Sequence, residues 1–144
     1  MARIKIDLPG KFCFVTKIPV RITDINFGGH VGNDTILSIV HETRAQFFKY
    51  CGYDELNFGG AGTIMSDVAI EYKNQLYYGD EIISSVAIGE ITKVAFDLFY
   101  KLEKKINDKL APVAYAKTWM VCYDYTLKKV VAIPDEARNK IISP

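Results

Sequence analysis

Apolar residues recur every second position near the start of the chain and then every third or fourth, which predicts a strand followed by a helix. Over residues 12–23 the even positions Phe12, Phe14, Ile18, Val20 and Ile22 are apolar, with Lys17 and Arg21 between them, the mark of a half-buried strand. The next segment, TDINFGGHVGN, holds three glycines and two asparagines and suits tight turns and close backbone approach. Beyond it, Ile36, Leu37, Val40, Phe47, Phe48 and Cys51 repeat at helical spacing, Asn33 or Asp34 is placed to cap, and Gly52 supplies a stop, so a helix of about 17 residues is expected. Its apolar arc also contains Arg44, while Ser38, His41, Glu42 and Ala45 lie opposite. Two readings of Arg44 stand: a stem that snorkels out of the core, or a paired guanidinium that fixes a carboxylate near the loop.

The rest of the chain reads as strands. After a Gly-rich connection, Ile64, Val68, Ile70 and Tyr72 alternate with Asp67, Glu71 and Lys73. A turn at Gly79 and Asp80 leads into strands over residues 81–91 and 93–102, the latter with Val94, Phe96, Leu98, Tyr100 and Leu102 on one face. Asn107 and Asp108 mark a hairpin end. Residues 113–125 are apolar or small on both parities, the pattern of a central strand covered on both faces. Residues 130–133 add an edge strand, and Pro134 opens a short terminal helix as its first residue. One apolar helix followed by consecutive antiparallel strands makes an α+β domain whose sheet must curl round the helix. No linker or repeat divides it, so residues 1–144 form one domain.

Charge and cysteines narrow the function. Eighteen Lys and Arg against 17 Asp and Glu leave a formal charge of +1, which gives no footprint for nucleic acid. No apolar run reaches signal-peptide or membrane-spanning length, so no membrane partner is expected and a cytoplasmic location is the default. Cys13, Cys51 and Cys122 are scattered without metal-ligand or disulfide spacing, and they read as reduced packing residues with no metal implied.

Chemistry concentrates where the helix begins. A helix N-terminus presents unpaired N–H groups and a partial positive charge. A carbonyl oxygen docked near Asn33 would meet preorganised donors, worth roughly 3 to 4 kcal/mol per donor in a transition state. His30 either donates or relays a proton there, or holds the turn by bonding a backbone carbonyl. Asp24 and Asn26 are two residues apart and point the same way if extended, although Asp24 equally suits an Asx turn. His41 falls on the exposed side of the helix or at a subunit contact.

These residues carry a resemblance. Arg21, Asp24, Gly29, His30, Val31 and Asn33, followed by Glu42 and Arg44, resemble the pattern R-x-x-D-x-D-x-x-G-H-V-N-N and its helix in hotdog-fold acyl-CoA thioesterases of the 4-hydroxybenzoyl-CoA thioesterase type, related to acyl-ACP thioesterases. Tyr72 and Lys73, Gly79 and Asp80, the stretch from Trp119 to Asp124 and that from Pro134 to Glu136 extend the likeness over about residues 14–140. The resemblance implies a hotdog fold, with one long central helix wrapped by a curled antiparallel sheet of five to six strands. It implies hydrolysis of an acyl-CoA or acyl-carrier-protein thioester, with the carbonyl polarised at the helix N-terminus, no cofactor beyond the coenzyme A of the substrate, and a homodimer or homotetramer with sites at the subunit boundary. The catalytic candidates are Asn26, His30, Asn33, Asp24 and Glu42, and the substrate-binding candidates are Tyr72 and Lys73.

Two positions depart from the pattern. The family's usual catalytic Asp falls on Asn26, and one of its two adjacent Asn positions falls on Gly32. A neutral amide orients water or substrate but neither attacks nor deprotonates, so another carboxylate, Asp24, Glu42 or Asp67, would have to act as base. Glu42 and Asp67 would do so only beneath a neighbouring subunit. The alternatives are a non-catalytic acyl-CoA or acyl-ACP binding protein and a hotdog enoyl-thioester hydratase or dehydratase.

Overall fold

The computed structural model describes residues 3–144. Strand β1 (Phe14–Pro19) leads through a 3-10 turn (Ile22–Asp24) to helix α1 (Asn33–Tyr50), and then come β2 (Gly62–Tyr72), β3 (Glu81–Ile91), β4 (Ala95–Ile106), β5 (Lys109–Asp124), the short β6 (Lys129–Val130) and helix α2 (Asp135–Ile142). The sheet is antiparallel in the order β1-β3-β4-β5-β2, with β6 on β5. It curls round α1 without closing, the α+β hotdog architecture.

The helix forms where the periodicity puts it, and it buries Ile36, Ile39, Val40, Phe47 and Phe48. Phe58 and Phe96 stack at 5.4 Å and meet Phe48 at 5.0 and 6.3 Å, so aromatic rings join helix to sheet. Gly52 sits at φ +90°, a backbone region only glycine enters without cost, and the helix stops there. Neither Asn33 nor Asp34 caps it: Gly32 is the N-cap and both are helical. The terminal helix likewise takes Pro134 as its cap rather than its first residue.

Three strand expectations change. The first strand ends at Pro19, because residues 22–24 turn sharply and leave Ile22 exposed. In β2 the pairing of Met65 with Met120 is followed by Asp67 with Trp119, so Ser66 is an extra residue, a bulge. It reverses parity: Val68 and Ile70 lie opposite the inward Thr118 and Ala116, whereas Ile64 lies opposite Val121 on the outer face. Strand β5 is internal but lies next to the edge strand β2, and its outer residues Tyr115, Lys117, Trp119 and Val121 are half-buried in the single chain.

By contrast, Phe96, Leu98, Tyr100 and Leu102 of β4 are fully buried on one face. Asn107 and Asp108 both take positive φ between Ile106 and Lys109, the left-handed pair that a two-residue hairpin requires. The N-terminal segment crosses part of the outer face: the Ile6 N–H donates to Glu71 Oε1 at 3.1 Å, and Lys101 Nζ lies 4.3 Å from the centre of the Phe12 ring.

Candidate active site at the start of the long helix

The loop before α1 is tied at several points. Asn26 N–H donates to His30 O at 2.8 Å, and Val31 N–H donates to Leu76 O at 2.9 Å, joining this loop to the one between β2 and β3. The first intrahelical bonds run from the N–H groups of Thr35 and Ile36 to Gly32 O. The amides of Asn33 and Asp34 therefore precede the ladder, with no intrahelical acceptor. Gly32 leaves room for its neighbours: a Cβ there would stand 2.6 Å from Asp34 Oδ1, so that exposed side chain would have to move aside.

Against this helix end lies a cleft of about 200 Å³ lined by His30, Asn33, Tyr72 and Lys73, with Val31, Ile36 and Leu76 as its apolar wall and Asn74 and Gln75 at its side. The Tyr72 hydroxyl donates to Asn33 O at 3.0 Å, so the end of β2 is fastened to the first helical turn. His30 Nδ1 lies 3.0 Å from Val31 O. A carbonyl oxygen only accepts, so Nδ1 carries the hydrogen, and in the neutral ring the lone pair is on Nε2. Of the two sequence readings of His30, the turn-holding bond is present, and it leaves the other nitrogen free for proton transfer. Asn26 is not among the lining residues but lies near His30: its Oδ1 accepts from Gly28 N–H at 2.9 Å, and a Cβ on Gly28 would stand 3.4 Å from both Asn26 Oδ1 and His30 Nε2.

The candidate carboxylates are elsewhere. Asp24 is buried, accepts from Arg21 N–H at 2.8 Å and pairs with Arg21 Nη2 at 3.3 Å. It closes its own turn and does not share a direction with the exposed Asn26. Glu42 lines a separate cleft of about 280 Å³ together with Asp24, Lys17 and Arg21, and it accepts from Gln46 Nε2 at 2.8 Å. Asp67 lies on the outer sheet face opposite Trp119. No carboxylate lines the His30 cleft among the described residues. Lys73 is held by Glu71 at 3.2 Å and lies 4.9 Å from the centre of the Tyr115 ring.

Sequence reasoning missed Asn74 and Gln75, whose polar pattern in a loop carries no signature. It also left the partner of Arg44 unnamed. That partner is Glu55, in the connection after the helix, at 2.8 Å, so the buried guanidinium is paired but fixes nothing in the loop before α1. The same carboxylate lies 3.2 Å from His41 Nε2.

A profile of the thioesterase-like superfamily matches residues 20–141. Comparison with curated proteins gives no match. Among solved structures, a 1,4-dihydroxy-2-naphthoyl-CoA thioesterase from Synechocystis is similar at TM-score 0.79 and 19% identity, over 90% of this chain and 96% of that one. A 4-hydroxybenzoyl-CoA thioesterase, in an aspartate-to-asparagine variant complexed with 4-hydroxybenzoyl-CoA, is similar at TM-score 0.80 and 14% identity, over 89% and 97%. A DHNA-CoA thioesterase from Staphylococcus aureus is similar at TM-score 0.77 and 15% identity, over 90% of each chain. At these identities the likeness is one of fold.

Proposed function

This chain belongs to the thioesterase-like superfamily, and from that premise we propose that it hydrolyses a coenzyme A thioester in the cleft where α1 begins. One observation carries the reading: the cleft brings together Asn33, whose amide precedes the helical ladder, and His30, whose Nε2 has no hydrogen-bond partner among the described residues, beside an apolar wall of Val31, Ile36 and Leu76. The thioester oxygen docks on the amides, where the charge that develops on it meets donors already in place. Water, oriented by the Asn26 amide, loses a proton to His30 Nε2 as it attacks the carbonyl carbon. The C–S bond then breaks, and the departing thiolate takes the proton from His30. Tyr72 holds the first turn, and Lys73 at the mouth suits a phosphate of the coenzyme.

The free edge of β2 lies beside the cleft, and Ile64, Val68 and Tyr72 on that strand are exposed. Pairing of this edge with a second copy would extend the sheet and close the cleft, which supports a homodimer. The buried, unpaired Cys51 and Cys122 suit a reducing compartment such as the cytoplasm.

A second reading, a binding protein that retains thioesters uncut, is favoured by the lack of a carboxylate among the cleft's lining residues. An acyl-CoA panel containing aromatic and aliphatic members separates the two. Free thiol released by the protein, and lost in His30→Ala, supports hydrolysis. Saturable heat of binding without thiol leaves the binding protein and removes the enzyme.

A further inference from the structure

On the sheet face away from α1, Trp119 of β5 lies between two aspartates, opposite Asp67 on β2 and Asp97 on β4. Glu90 joins them because the β3–β4 register shifts between Ile88 and Ile91, and Lys117 precedes Trp119 on the same face. These five residues line a depression of about 220 Å³. None of its four charged groups is in an ion pair among the described residues, and their formal charges sum to −2. Asp97 is 8% exposed, and its Oδ1 is buried with no hydrogen-bond partner. Leaving such an oxygen unmet is costly, and most buried polar groups in folded proteins find a donor. Burial pushes the Asp97 carboxyl above its usual range, Lys117 opposes this, and the neighbouring Glu90 and Asp67 charges add to it.

We infer that this depression is a binding site for a guanidinium group. The lining calls for a cation with several N–H donors. No grouping suited to a metal ion occurs among the described residues. The two aspartates stand two strands apart, roughly 10 Å between backbones, with the flat indole between them. A planar guanidinium stacks on an indole and donates outward along both edges, whereas an ammonium offers three donors from one point. Lys117, half-buried, lines the same depression and offsets only one of its three carboxylates, which leaves room for the ligand's charge. The guanidinium can belong to a free small molecule or to an arginine on a protein surface.

Trp119 is the chain's single tryptophan, so its fluorescence reports on this site alone. The native protein is titrated with N-acetylarginine amide and, in parallel, with the peptide Gly-Arg-Gly and with N-acetyllysine amide. A saturable change with both arginine probes is expected, weaker by roughly tenfold or more with the lysine probe and in Asp97→Asn and Asp67→Asn. Asp67 is exposed, so its variant tests the site even where Asp97→Asn folds poorly. Equal affinity for the two arginine probes assigns the site to small guanidinium compounds, and clearly tighter peptide binding assigns it to a protein arginine. No saturable change, or one unaffected by either substitution, overturns the inference.

Discussion

Arg44, on the inward face of α1, donates through Nε to Glu55 Oε1 at 2.8 Å, with the guanidinium side chain 5% exposed and the carboxylate side chain 29% exposed. The pair bridges the helix to the connection after it. A buried charge that loses its partner is more damaging than a pair replaced by apolar atoms. Glu55→Ala should therefore cost about 3 kcal/mol, since it strands the guanidinium. Arg44→Met should cost about 1 kcal/mol, because methionine fills the volume and His41 still faces Glu55. Urea denaturation of both variants checks the order, and a smaller loss for Glu55→Ala than for Arg44→Met would refute it.

Asn26→Asp keeps the acceptor that meets Gly28 N–H and adds a base beside His30. Hydrolysis of a responsive acyl-CoA should rise roughly tenfold or more, within the range general bases supply. A rate that stays level while the variant remains folded would mean that position 26 does not face the attacking water.

Asp97 gives a pH dependence of definite sign. Its folded pKa is raised, chiefly by burial, so the folded chain binds the proton more tightly than the unfolded chain does. This contribution favours folding at low pH and is lost as pH rises through the raised value. Asp97→Asn lacks that loss, so the variant should gain stability relative to the wild type between acid and neutral pH. Melting curves at pH 4 and pH 7 measure the difference, and a gap that narrows toward neutral pH would contradict the burial argument.

The thiols provide a check on packing. Burial pushes Cys51 and Cys122 up to about 11, and the thiolate is the reactive form. In the native protein at pH 8 a disulfide reagent should modify Cys13, which is only half-buried, ahead of the other two, and should reach all three in denaturant. Rapid native labelling of Cys51 or Cys122 would show that the core is open there.

What the chain alone determined is what depends on near neighbours. The α1 stripe, the inward face of β4 and the Asn107–Asp108 hairpin follow from periodicity and backbone preference, which act over a few residues. That the first amides of α1 lack intrahelical acceptors was legible for the same reason, since it follows from the helix itself. Tertiary structure decided the rest. The Ser66 bulge moved Ile64 to the outer face, Glu55 proved to be the partner of Arg44, and Asp24 and Glu42 were set in a cleft apart from His30. Asp67, Asp97 and Trp119 meet only because three antiparallel strands settle into one register. Such pairings depend on how distant segments align when the sheet curls, and spacing along the chain carries no record of that alignment.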